Sequence, residues 1–203
     1  MASTASFGDW NRGIQAAIIN GNVDATFHLP PAARDSTTPS IVISFPQDTD
    51  FVERGTTLDQ LQQRCAAPDG RAALVGLGGV GKSQLAIEHA YRTQEQSPET
   101  WVFWVHASNA DRFMESYRGI ANRVKIAGRQ DPQANIFKLV HDWLCDCKQR
   151  WLLVLDNVDD ARFLLSGQAD GDGQSQTTNA QVIQKPLCEY LPHCERGSIL
   201  VTT

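Results

Sequence analysis

The chain has 203 residues, 41% of them hydrophobic and 20% charged, which suits one well-packed domain with extensions and excludes a largely disordered chain. A net charge of −5 and a pI near 5.5 exclude broad electrostatic attraction to nucleic acid or anionic lipid, leaving only local basic groups such as Lys82. No run approaches the roughly 20 apolar residues of a membrane span, and the opening MASTASFGDW lacks the basic start and apolar core of a signal peptide, so a cytoplasmic location is expected.

Residues 1–29 form the first predicted unit. Asn20-Gly21 stands between the apolar stretches 14–19 and 23–29, the strongest short signal for a tight hairpin turn or a β-arch. Residues 30–50 read as a linker, with Pro, Ser and Thr concentrated over 30–39. The third unit spans residues 51–203. It opens with Thr56-Thr57-Leu58-Asp59, which predicts a capping box ahead of a helix that buries Leu58, Leu61 and Cys65 on one face.

Four continuous apolar runs follow, at 72–75, 101–105, 151–155 and 198–202, as expected of strands covered on both faces. Between them, residues 84–91 read as a helix. Phe113, Tyr117, Ile120 and Val124 repeat at helical spacing after the cap candidates Ser108 and Asn109, with Gly128 closing the run. A further helix is predicted to open at Asp131-Pro132, to bury Ile136, Leu139, Val140, Trp143 and Leu144, and to end beside Lys148 and Arg150. Residues 166–180 read as a surface loop. The alternation predicts an α/β fold: a doubly wound parallel sheet from about Phe51 onward, with no internal repeat.

The chemistry concentrates at residues 76–83, GLGGVGKS, which meet the phosphate-loop pattern G-x-x-x-x-G-K-[ST] between a predicted strand and a predicted helix. Gly76, Gly78, Gly79 and Gly81 let backbone N–H groups point at phosphate oxygens without Cβ obstruction. Lys82 reaches the terminal phosphates, the Ser83 hydroxyl is a Mg²⁺ ligand, and the helix behind presents its positive end. Asp156, at the carboxyl tip of the run WLLVLD, supplies the second Mg²⁺ ligand; outside this context such an Asp is more often a helix cap. The five cysteines, Cys65, Cys145, Cys147, Cys188 and Cys194, are odd in number and lack C-x-x-C spacing, so reduced thiols are expected. Cys145, Cys147, His193 and Cys194 make a poor zinc pattern. Trp101 and Trp104 are expected to pack in the sheet, and His106, His141 and His193 to serve surface or capping roles.

In order along residues 51–203, FVER at 51–54 with Leu58 and Leu61, GLGGVGKS, VFWVHASN at 102–109, LLVLDNVDD at 152–160 and GSILVTT at 197–203 resemble the NB-ARC domain of STAND-class P-loop NTPases, especially that of fungal NLR-like proteins. The resemblance implies an ADP- or ATP-binding switch in defence or cell-death signalling. It places Phe51, Val52 and Arg54 beside the adenine and sugar, Val80 and Gln84 among the phosphate-loop contacts, and Thr202 or Thr203 near the γ-phosphate. Where the family commonly carries a second Asp to orient the attacking water, this chain has Asn157. An amide cannot act as a general base, so slow turnover or stable retention of nucleotide is expected. Asp159 and Asp160 read as charge at a helix N-terminus.

The resemblance also implies a further helical region, a winged-helix domain and repeats, which these 203 residues do not contain, and a further strand beside 72–75 whose absence leaves an apolar edge open. Residues 7–30 resemble short N-terminal amyloid-signalling motifs, implying self-association or an effector partner through cross-β stacking. Composition alone favours an ordinary hairpin there. Two other readings stay open: an active P-loop ATPase or kinase, and an assembly module carrying a non-functional NTPase remnant.

Overall fold

A computed structural model describes residues 39–43, 45–53, 55–165 and 185–203. The predicted hairpin within 1–29, residues 30–38 of the linker, Arg54 and the loop at 166–180 lie outside the described residues. In chain order the elements are β1 (Ile41–Val42), α1 (Thr57–Ala66), β2 (Gly70–Leu74), α2 (Lys82–Gln96), β3 (Trp101–His106), α3 (Ala110–Arg123), α4 (Ile136–Asp146), β4 (Trp151–Asp156), the short α5 (Arg162–Leu165), a 3₁₀ turn (Leu187–Tyr190) and β5 (Gly197–Thr202).

The five strands form one sheet in the order β1-β3-β4-β5-β2, and every pairing is parallel. Side chains alternate across the strands. Trp101, Phe103, Val105, Trp151, Leu153, Leu155 and Ile199 face one side, against Phe113, Tyr117 and Ile120 of α3 and Phe137, Val140 and Leu144 of α4. Val102, Trp104, Leu152, Val154 and Leu200 face the other, against Leu61 and Cys65 of α1 and Ala86, Ile87 and Ala90 of α2. Helices on both faces explain why β3 and β4 carry unbroken apolar runs: each residue meets a core whichever way it points. Trp101 stacks on Phe103 and meets Trp143 edge-on, so the strand tryptophans pack as expected.

Local details differ from the sequence expectations in physical ways. Ile41–Val42, inside the stretch read as a linker, pairs with Val102 and Phe103 as an edge strand; two residues are too few to show an alternation pattern. Strand β2 spans Gly70–Leu74 and, among the described residues, pairs only with β5. Arg71 and Ala73 are exposed while Ala72 and Leu74 pack against the core, so one face of β2 lacks a cover, and Val75, expected in the strand, is 77% exposed. Thr56 precedes α1 without a side-chain cap bond, so the expected capping box is not formed. Helix α3 starts where expected, with Asn109 Oδ1 accepting from the Arg112 amide at 3.0 Å, but it ends at Arg123 and leaves Gly128 in the following turn. Helix α4 begins at Ile136, not at Asp131. Asn135 caps it by accepting from the Lys138 amide at 3.1 Å, while Asp131 closes a local turn by accepting from the Gln133 amide at 2.9 Å.

Candidate functional site

Parallel register carries Leu74, Asp156 and Thr202 to the same carboxyl edge of the sheet, since Leu74 pairs with Thr202 and β4 runs beside β5. The link from β2 to α2 crosses this edge and is the glycine-rich stretch 75–81. Gly79 and Gly81 hold φ of 79° and 87°, left-handed conformations that cost a Cβ-bearing residue and that glycine adopts freely. Gly81 is the N-cap residue of α2, so the loop delivers the open amides of a 15-residue helix to the edge where ligands bind in such sheets.

Around this loop lie two adjoining clefts that share Gly81, Lys82 and Gln84. The first, about 600 Å³, is walled by Asp48, Asp50, Phe51 and Val52 on one side and by Leu74, Val75, Val80 and Leu85 on the other. The second, about 310 Å³, is lined by Gly76, Gly78, Gly79, Ser83, Asn157, Asp159, Thr202 and Thr203. One is largely apolar with carboxylates at its rim. The other gathers amides, hydroxyls, one ammonium and the Asp159 carboxylate. Lys82 Nζ donates to the carbonyls of Gly76 at 2.9 Å and Leu77 at 2.8 Å, which holds the cation across the mouth of the loop.

Asp156 anchors the polar end. It is buried, and its Oδ1 accepts from Ser83 Oγ at 2.8 Å and from Thr202 Oγ1 at 2.7 Å. Thr202 Oγ1 in turn accepts from the Asn157 amide at 2.9 Å. The chain turns sharply there: Asn157 has φ of 65°, a left-handed conformation for which Asn is among the better tolerated side chains. A hydroxyl and a carboxylate oxygen meeting across adjacent elements are hard donors of the kind Mg²⁺ prefers, so the residues present fit that cation.

Nearly every residue expected at the site converges on it: Gly76, Gly78, Gly79, Gly81, Lys82, Ser83, Gln84, Asn157, Thr202 and Thr203 at the polar end, and Phe51, Val52 and Val80 at the apolar end. Arg54 is the exception, outside the described residues. Sequence reasoning missed three features. Asp159 lines the polar cleft, whereas Asp160 pairs with Arg162 at 2.6 Å on the surface; adjacent acidic residues carry no signal that separates them. The carboxylates Asp48 and Asp50 sit at the apolar cleft because the Asp50 amide donates to Asp48 Oδ1 at 3.0 Å in a tight turn.

The third missed feature holds residues 45–53 in place. Buried Glu88 accepts from Arg92 Nε at 2.7 Å and from Gln47 Nε2 at 3.1 Å. Arg92 also pairs with Glu53 at 2.7 Å, and Tyr91 Oη donates to the Phe45 carbonyl at 2.8 Å. Glu88 and Arg92 stand one turn apart on α2, a spacing that was legible as an ion pair but not as a clamp. Their effect is to fix the wall bearing Phe51 and Val52 to the helix that follows the glycine-rich loop.

Among the described residues, no helix is long and apolar enough to cross a membrane. No family model matches the chain. In an alignment of 173 positions that covers 79% of the chain, it is 32% identical to a nucleotide-binding leucine-rich repeat (NLR)-like protein of Hyaloscypha variabilis, of whose length it spans 16%. The chain is therefore an α/β protein whose all-parallel, doubly wound sheet is consistent with a P-loop NTPase, and it has an NLR-type relationship.

Proposed function

We propose that residues 51–203 are an NB-ARC-type domain of the STAND class that binds ADP or ATP with Mg²⁺ and works as a slow switch in cytoplasmic defence or cell-death signalling. The observation that carries the reading is the meeting of Ser83 and Asp156 behind a glycine loop capped by Lys82, with an apolar cleft adjoining. The loop amides and Lys82 would bind phosphates, Phe51, Val52 and Val80 would offer apolar surface to a base, and Thr202 and Thr203, which line the same cleft as the loop, would meet a terminal phosphate. Ser83 and Asp156 would hold the Mg²⁺, which when bound neutralises phosphate charge.

Slow turnover follows from the same residues. Asn157 cannot take a proton from water, and Asp156 is already committed to two hydroxyl donors. Asp159 is then the carboxylate left to orient a water. Residues 7–30 are proposed to pass the signal by self-association or by recruiting an effector, on their Asn-Gly turn and low charge.

Calorimetric titration with ADP and ATP in the presence of Mg²⁺ tests the proposal. The native chain is expected to bind, and Lys82→Ala to lose binding while remaining folded. Nucleotide at about a hundredfold over its Kd should raise stability by ~2.7 kcal/mol, seen as a higher Tm. A folded native chain that binds neither nucleotide would refute the reading.

A further inference from the structure

Helix α2 is buried on more than the face that meets the sheet. Ala86, Ile87 and Ala90 join the apolar core, while a second stripe, Gln84, Leu85, Glu88, Tyr91 and Arg92, recurs at the three- and four-residue spacing of one helix face and meets the segment 45–53. The two ends of this stripe do different things. Gln84 and Leu85 line the apolar cleft together with Phe51 and Val52. Arg92 lies about 10 Å further along the axis than Leu85, at 1.5 Å per residue, and neither it nor Glu88 lines either cleft.

Among the described residues, the hydrogen bonds that tie 46–53 to another element both end on this pair. Gln47 Nε2 donates to Glu88 Oε2 at 3.1 Å, and Arg92 Nη1 donates to Glu53 Oε1 at 2.7 Å. The others, from the Asp50 amide to Asp48 Oδ1 and from the Phe51 amide to the Asp48 carbonyl, close a turn within the segment. The turn gives the wall its shape, and the two ties set its distance from α2. An exposed ion pair such as Arg92–Glu53 contributes little by itself, because ordering two long side chains offsets the attraction. Here Arg92 is ordered beforehand. Its Nε donates at 2.7 Å to Oε1 of Glu88, whose side chain is only 8% exposed, and a buried carboxylate keeps its counter-ion because leaving it unpaired is costly. The guanidinium is a planar fork, so it meets Glu88 on the helix and Glu53 on the wall at once.

Resting on the nucleotide reading above, we propose that Arg92 is a positioning residue of the site: without reaching the ligand, it holds the wall at 46–53 and thereby gives the site its preference for a nucleotide over inorganic polyphosphate. The polar cleft does not share this dependence. Its loop is braced by Lys82 on the Gly76 and Leu77 carbonyls and by Ser83 on Asp156, contacts that involve no residue of 45–53. Freeing the wall should therefore cost the nucleoside end of a ligand its apolar contacts and leave the phosphate end as it was.

Calorimetric titration of the full chain with ADP and with pyrophosphate, each with Mg²⁺, tests this, with a melting curve on each variant to show that it is folded. The native chain is expected to bind ADP more tightly than pyrophosphate. Glu53→Gln, which leaves the Glu88–Arg92 pair in place, should weaken ADP roughly threefold, the scale of an exposed ion pair. Glu88→Gln combined with Arg92→Met, which removes the charged pair without leaving a buried charge, should weaken ADP roughly tenfold or more. Arg92→Lys, which keeps the charge but loses the fork, should fall between the two. Pyrophosphate affinity should stay at the native level throughout. Equal losses for both ligands, or an ADP affinity unchanged in Glu53→Gln or in the double variant, would overturn the proposal. Equal native affinity for the two ligands would overturn it while leaving the loop a phosphate site, and a folded native chain that binds neither would overturn the nucleotide reading and this proposal together.

Discussion

Lowering the pH from 7 toward 4 should destabilise the protein through one side chain. His89 lies on the buried face of α2 at 2% exposure, and its Nε2 has no hydrogen-bond partner. Burial pushes its pKa down from 6.5 to about 4, because a charged ring there would lose its water and gain no acceptor. The unfolded chain binds a proton near pH 6.5 and the folded one only near pH 4, so across that window the unfolded state holds more protons and stability rises with pH. The contribution is fully present above pH 6.5 and is lost as pH falls to about 4. At about 1.4 kcal/mol for each tenfold change in proton affinity, the loss reaches about 3 kcal/mol. Asp69 and Asp160, whose partners hold them below the ordinary 3.8, lose their contributions at lower pH and leave the window clear. Melting curves between pH 7 and 4.5 should therefore show a drop of roughly 5–10 °C, given a loss of 2–4 °C per kcal/mol for a domain of this size. His89→Leu should remove most of that drop. The same pH slope in His89→Leu as in the native chain would refute the argument.

Three further outcomes are expected. Thr202→Val keeps the shape of a buried side chain but removes the donor to Asp156 and orphans the Asn157 amide; urea unfolding should show a loss of about 3 kcal/mol, and a loss under about 0.5 would contradict it. Gly197→Ala would drive a Cβ into the indole of Trp151, so a loss of about 2 kcal/mol is expected from overpacking, read as a lower Tm. Asp159→Asn should lower whatever ATP hydrolysis is measured by roughly a hundredfold while ADP affinity stays close to native; an unchanged rate would return Asp159 to the role of a surface charge.

Much of the fold was legible because a strand covered on both faces must be apolar at every position, as 101–105 and 151–155 are, and because Phe113, Tyr117, Ile120 and Val124 can share a core only on a helix. The glycine-rich loop ahead of α2 was equally legible, since its shape is set by residues consecutive in the chain. Local signals failed where competing contacts decide the outcome. Asp131-Pro132 reads as a helix start, but the Asn135 amide oxygen is better placed to cap the buried face that begins at Ile136. Ile41–Val42 is too short to show periodicity and becomes a strand only because β3 offers it an edge.

The sequence by itself determined the alternation of strand and helix, the glycine-rich turn into α2 and the carboxylate at the tip of β4, because each is written in residues close along the chain. Only the tertiary structure decided which distant groups meet: Thr202 on Asp156, Glu53 and Gln47 on the Glu88–Arg92 pair, and Asp159 rather than Asp160 in the cleft. Those meetings depend on how the elements pack and on strand order, which place residues 39 to 46 positions apart side by side and leave no trace in local spacing.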